Sequence, residues 1–272
     1  MPTAEEKIKC TAAVLTFNSE AGLKRCLDSA KDFVEIVICD GGSTDNTVAI
    51  ATEFGCKIMF QSAKFKDESG RIIDFSGVRN QMLHAATQDW FFILDSDEYL
   101  SKEAAVEIKN VINTHNETNP YLYHALRKFE VNSVIIDCAG TYPSYQPRFF
   151  HKDHVIEFAR KLHEKIVPRA GEKYGYLTKP TIVPVDINII NLKKKHAYYL
   201  NLEEKRCADM SGLHIVLSMH FNMRSVIARW IKIIRNFLFC RGTKMPLSFE
   251  LASSIYSLKL CLVLFRNLVK KV

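Results

Sequence analysis

Four short apolar runs, separated by segments of helical period, fill the first hundred residues, and few folds accept that alternation. The runs are Ala12-Ala13-Val14-Leu15 at the end of a strand over 8–15, Val34 to Cys39, Lys57 to Phe60, and Trp90-Phe91-Phe92-Ile93-Leu94. Each is too short for a helix, and β-branched or aromatic side chains recur among them, as in strands buried on both faces. Between the runs, Leu23, Cys26, Leu27 and Ala30 recur at helical spacing. Val48, Ala49, Ala51 and Phe54 do the same, with Gly55 placed to end their helix. Residues 76–87 predict a third helix, and Glu103 to about Asn113 a fourth. The order β-α-β-α-β-α-β predicts an α/β, Rossmann-like, mostly parallel sheet with helices on both faces. Ligands of such sheets bind outside the carboxyl ends of the strands.

Three polar clusters fall on that edge. Thr16 and Asn18 follow the first strand, Asp40 the second, and Asp95-Ser96-Asp97 the fourth. Residues i and i+2 of a strand share a face, so Asp95 and Asp97 can converge. Two adjacent carboxylates repel unless a cation or water separates them. The pair therefore reads either as a Mg²⁺ or Mn²⁺ site completed by waters and phosphates, or as a solvated acidic turn before Glu98 and Ser101. Asp40 precedes Gly41-Gly42, where backbone and ligand can approach closely. Its carboxylate could accept from a base N–H or a ribose hydroxyl, or could simply order a turn. Asp45 reads as a helix cap. Arg79, early on the third helix beside Asn80, could fork onto a diphosphate, tie down the acidic pair, or face solvent.

These four segments, Ala13 to Asn18, Asp40 to Thr47, Arg79-Asn80 and Leu94 to Glu98, together resemble family-2 glycosyltransferases of the GT-A fold. Downstream, Pro147-Arg148-Phe149-Phe150, Leu162-His163-Glu164 and His196 near Tyr198 resemble a subgroup that includes bacterial glucosyltransferases of lipopolysaccharide inner-core assembly. The resemblance implies a metal-dependent inverting hexosyltransferase. The donor would be a nucleotide-diphosphate sugar, UDP-glucose or similar, and the acceptor a cell-envelope glycan or lipid-linked glycan such as lipopolysaccharide core. It implies Thr16, Asn18, Asp40, Arg79 and Asp95 as donor contacts, and Asp95, Asp97 and His196 around a Mg²⁺ or Mn²⁺ ion. Inversion needs a base to deprotonate the acceptor hydroxyl. Glu164 is the first choice and Asp137 the next, although Glu164 beside Lys165 also reads as a surface acid. His196 follows Lys193-Lys194-Lys195, so a metal ligand, a phosphate contact and a solvated basic turn all stay open. His163 would orient Glu164 or touch phosphate.

Beyond residue 113 the pattern is less regular. Strand-like pieces at Leu122–Val131, Tyr145–Phe150 and Thr181–Ile190 predict a mixed extension of the sheet, followed by a helical tail. The expected division is a catalytic domain over 1–212 and a basic amphipathic tail over 213–272. The 272 residues carry a net charge of +7. From Phe221 to Val272 there are ten Lys or Arg and one acid, Glu250, so this segment alone carries +9. Within it Ile227, Trp230, Ile231, Ile234, Phe237 and Leu238 form a broad apolar face, with Arg229, Lys232 and Arg235 opposite. Such a helix either packs on the protein or lies on an anionic membrane surface.

The 8 cysteines show neither a C-x-x-C pair nor zinc spacing, and predict reduced, buried thiols. The first residues, Met1 to Lys7, lack a signal-like apolar stretch, and the longest charge-free apolar run near the end, Leu260 to Phe265, is too short to span a bilayer. These features predict a cytoplasmic chain, peripheral at most on the inner face of the cytoplasmic membrane, with no nucleic-acid partner. A P-loop is absent, and Leu15-Thr16-Phe17-Asn18 is not the Gly-rich phosphate loop of a sugar nucleotidyltransferase. The remaining alternative is a non-catalytic basic binder, against which the acidic constellation argues.

Overall fold

The computed structural model describes residues 6–68, 70, 72–161, 164–208 and 210–271. In chain order its elements are β1 (Ile8–Thr16), α1 (Glu20–Ala30), β2 (Phe33–Asp40), α2 (Thr47–Glu53), β3 (Lys57–Phe60), α3 (Phe75–Ala85), β4 (Trp90–Asp95), β5 (Tyr99–Leu100) and α4 (Lys102–Asn113). There follow β6 (Leu122–Val131), β7 (Val134–Ile135), β8 (Ser144–His151), β9 (Val155–Ala159), β10 (Lys165–Pro168), β11 (Tyr174–Tyr176), β12 (Thr181–Pro184), α5 (Ile189–Ala208), α6 (Gly212–Phe239) and α7 (Leu247–Val269). The chain forms two compact units, residues 1–127 with 144–183 and residues 128–143 with 184–272.

In the first unit β3, β2, β1 and β4 lie side by side, all parallel. The register pairs Thr16 with Asp40 and Leu15 with Asp95, so these strands end at one level. Beyond β4 the sheet turns antiparallel: β8 pairs with β4 through Phe91 and Phe150, and β6 pairs with β8. This is the predicted mixed extension. Because side chains of a strand alternate between faces, neighbouring apolar residues feed two cores. Val14, Leu23, Leu27, Phe92, Leu94 and Ile108 fill one, and Ala13, Val78, Met82, Phe91 and Phe150 the other. Local chemistry starts the helices that bear on the site. Asp74 caps α3 by accepting from the Gly77 N–H at 2.8 Å, and Ser101 caps α4 by accepting from Ala104 N–H at 3.1 Å.

The second unit joins the excursion Lys128–Pro143 to the three C-terminal helices. Val131, Ile136 and Ala139 pack with Met245, and Cys207, Ile215 and Leu264 make a second small core. Gly140 has no room for a side chain, since a Cβ there would lie 2.8 Å from Ile233 and 2.9 Å from the stem of Arg229.

Several expectations are corrected here. The strand foreseen over 181–190 stops at Pro184, and Ile189 already begins α5, so the lysines 193–195 and His196 are helical and not a turn. The division at 212/213 differs from the one observed: α5 and the excursion 128–143 both belong with the tail. Cys138 and Cys240 form a disulfide, whereas Cys10, Cys26, Cys39, Cys56, Cys207 and Cys261 are free, as expected for all eight. The pair escapes a sequence reading because 102 positions separate its members. Finally, α7 is long and apolar enough to cross a membrane by length and composition, with mean hydropathy 1.5. Counting only charge-free runs hid it, since one or two charges are tolerated within such a helix.

Candidate functional site

The site is built on the carboxyl edge of the parallel strands. Asp40, at the end of β2, is fully buried and accepts four hydrogen bonds. Its Oδ1 takes the hydroxyls of Thr16 at 2.9 Å and Ser43 at 2.6 Å, and its Oδ2 takes the N–H groups of Gly42 and Ser43, each at 2.7 Å. Burial pushes the Asp40 carboxyl up, but these four donors outweigh it and leave it below the ordinary value. Asp40 and Thr16 thus brace the turn that begins the loop, and the space beside Gly41 is filled by Phe17 and Gln61. Asn18 sits in the left-handed region with φ 48°, where Asn is tolerated, and its Oδ1 accepts from Thr44 N–H at 2.9 Å. Asp45 bonds the Thr47 and Glu20 N–H groups, which ties the loops after β1 and β2 together.

Asp95 and Asp97 occupy different environments. Both oxygens of Asp95 are ion-paired: Arg148 Nη2 donates to Oδ2 at 2.6 Å and Arg79 Nη2 to Oδ1 at 3.1 Å. Burial alone would raise this carboxyl, yet Arg148 and Arg79 hold it far below the usual carboxylate range. Arg79 Nε also reaches Glu164 Oε1 at 3.4 Å, and Arg79 Nη1 is buried with no partner among the described residues. Arg148 Nη1 lies 3.2 Å from Glu98 Oε2, and Arg127 pairs with the same carboxylate. Burial and the neighbouring Asp95 push Glu98 upward in spite of both arginines. Three carboxylates (Asp95, Glu98, Glu164) therefore share three guanidinia (Arg79, Arg127, Arg148). Asp97 is outside this balance. It is exposed and takes no hydrogen bond or ion pair among the described residues. The first turn of α1 approaches it closely, since a Cβ on Gly22 would lie 3.1 Å from Ser96 O and 3.2 Å from Asp97 Cα.

The structure brings Thr16, Asn18 and Asp40 into one hydrogen-bonded loop cluster, and Arg79, Asp95 and Glu164 into one ion-paired cluster. Among the described residues, no group of three or more His, Cys, Asp or Glu is placed to hold a metal. His196 is on α5 in the second unit with its ring 4.7 Å from Tyr256, and burial lowers its basicity. Asp137, the alternative base, is also in the second unit and pairs with Lys128 at 2.9 Å. His163 lies outside the described residues. Arg127 and Gly22 were missed by the sequence reading, and Glu98 and Arg148 were noticed only within motifs. Arg148 did leave a signal: an arginine followed directly by Phe149 and Phe150 in a strand must find a buried partner.

Residues 11–130 match the family model described as glycosyl transferase family 2. Over this stretch the chain is similar to family-2 glycosyltransferases. The match runs from β1 almost to the end of β6 and includes Asp40, Arg79, Asp95 and Asp97. Similar proteins include glycosyltransferase SunS of Bacillus subtilis, 29% identical over 160 residues, which are 57% of this chain and 34% of SunS. A TPR repeat-containing protein of Synechococcus elongatus is 38% identical over 146 residues, covering 53% of this chain and 32% of that protein. Lipopolysaccharide core biosynthesis glycosyltransferase LpsC of Rhizobium meliloti is 32% identical over 99 residues, 35% of this chain and 34% of LpsC. The chain thus spans about a third of the length of these relatives. Among solved structures, S. aureus TarS 1–349 in complex with UDP aligns with TM-score 0.46 and 16% identity, over 85% of this chain and 72% of that one.

Proposed function

We propose that this chain transfers a sugar, with inversion, from a uridine-diphosphate sugar to a hydroxyl of a cell-envelope glycan or glycolipid. The observation that carries the reading is the asymmetry of the acidic pair: Asp95 neutralised from two sides, Asp97 open, both at the carboxyl end of β4 within the matched residues 11–130. Such a site suits a hard cation. Mg²⁺ or Mn²⁺ is commonly held by one or two carboxylates, with waters and substrate phosphates completing the shell. Asp97 would hold it, and the ion would neutralise charge on the departing diphosphate.

The protein's own groups do the rest. Arg148 and Arg79 fix Asp95, so the turn bearing Asp97 is presented in one conformation. The unpartnered Nη1 of Arg79 offers a donor to a phosphate oxygen or ribose hydroxyl. The Asp40 and Asn18 cluster shapes the loop on which the nucleoside rests. Glu164 has Oε1 committed to Arg79, and its Oε2 takes the acceptor's proton as the nucleophilic hydroxyl attacks. The SunS and LpsC names favour a glycosyl acceptor reaction, and LpsC a lipopolysaccharide core acceptor. Screening nucleotide sugars for slow hydrolysis with Mn²⁺ tests this reading. Turnover of one UDP-sugar, lost in Glu164→Gln by about 10²–10⁴-fold with donor affinity kept, is the expected result. Failure of every nucleotide sugar to bind would overturn it.

A further inference from the structure

The exposed apolar residues of α7 fall on one line, from Leu247 through Leu251, Ile255, Leu258 and Leu262 to Phe265 and then Val269, with Ser248, Lys259 and Arg266 exposed beside it. Steps of three or four residues keep them on one face. The opposite face buries Glu250, Ser254 and Asn267 together with Cys261 and Leu264. A helix on the surface of a soluble protein has the reverse arrangement. The partner helix behaves alike: α6 packs along α7, and its Ile227, Ile231, Ile234 and Leu238 are each more than half exposed at the same spacing. Two packed helices thus each leave an apolar stripe uncovered, and exposed apolar area of this kind marks a docking site.

Charge identifies what docks. Lys259, Arg266 and Lys270 each follow a stripe residue by one position, about 100° further round the axis, and so line one border of the α7 stripe. Arg224 and Arg235 are exposed on α6. The two helices hold a single acid, Glu250, which is buried and accepts the Gly140 N–H at 2.6 Å. A second copy would bring two such basic surfaces together and be repelled. An anionic bilayer satisfies both features, the stripe entering the interfacial layer and the basic border meeting headgroups. Although α7 is long enough to cross, Lys259 lies near its middle, where crossing would carry an unpaired ammonium to the bilayer centre. We infer that the α6–α7 face docks in the plane of an anionic lipid surface, such as the inner face of a cytoplasmic membrane, without spanning it.

The full chain is tested on vesicles of phosphatidylcholine alone and with phosphatidylglycerol added. Co-sedimentation should require phosphatidylglycerol and fall as salt rises. Amide hydrogen exchange across 247–269 should slow on the anionic vesicles. Reversing Lys259, Arg266 and Lys270 to Glu should weaken binding by about 100-fold or more, at roughly a fivefold loss for each cation near the surface. No binding to anionic vesicles at low salt overturns the inference. So does binding that leaves exchange of 247–269 unchanged, a reading on the wild type that needs no variant to fold. A salt-stable dimer in solution, dissolved by combined Leu251→Ser, Leu258→Ser and Leu262→Ser, would assign the face to a second copy. None of these readouts uses a sugar donor, so they stand or fall apart from the proposed catalysis.

Discussion

Two carboxylates one residue apart have been given different work by their neighbours. Asp95 belongs to the charge cluster, while Asp97 faces outward. Asp97→Ala should therefore abolish the Mn²⁺-dependent part of UDP binding in calorimetry while leaving the melting temperature within a degree or so of wild type. Asp95→Asn should lower stability, by about 1–3 kcal/mol, because Arg79 and Arg148 keep only Glu164 and Glu98 as counter-charges. The pH dependence follows in sign. A depressed carboxyl stabilises the fold wherever it would be ionised in the unfolded chain, above about pH 4. That contribution drains away as pH falls below this value toward the folded-state pKa. Urea unfolding at pH 3 and pH 6 should show a smaller difference in Asp95→Asn than in wild type. Asp40→Ala removes the acceptor of four hydrogen bonds from a buried site, so a drop of about 2 kcal/mol or more in unfolding free energy should accompany any loss of UDP affinity. Unchanged stability would mean that the turn does not depend on it.

At the scale of elements, the parallel half of the sheet was legible and the tail less so. Buried parallel strands are unbroken apolar runs, and β1 to β4 have no competing reading. The predicted piece at 122–131 coincides with β6, because its turn signals and alternating pattern are local. The start of α5 was misread because Thr181-Ile182-Val183 favours a strand and nothing but Pro184 announces its end. Arg127 and Arg148 gave no sign of sharing Glu98, because side chains far apart in sequence meet only once the sheet has formed. Gly22 shows the same limit: on a helix it reads as a weak residue, and its reason is the Ser96–Asp97 turn lying against it. Gly22→Ala should push that turn by a few tenths of an ångström. Weaker Mn²⁺-dependent UDP binding, with α1 still helical by circular dichroism, is the expected outcome. Equal binding would show that the turn is free to adjust.

For the molecule as a whole, the disulfide between Cys138 and Cys240 joins the mid-chain excursion to the end of α6. Crosslinks that close long loops restrict the unfolded chain and typically stabilise by about 2–4 kcal/mol. The double variant Cys138→Ser, Cys240→Ser should melt earlier than wild type. A reductant should bring wild type down to the variant's value and leave the variant unmoved.

The helical unit takes its first portion, Lys128–Pro143, from the middle of the chain and the rest from the end. A stop codon placed before α6 would strip Met245 from Val131, Ile136 and Ala139, and Glu250 from the Gly140 N–H, yet would leave the excursion behind. No single cut releases the first unit intact. Grafting these helices onto another enzyme, by recombination or in the laboratory, therefore takes two splices, one of them within the β6–β8 connection.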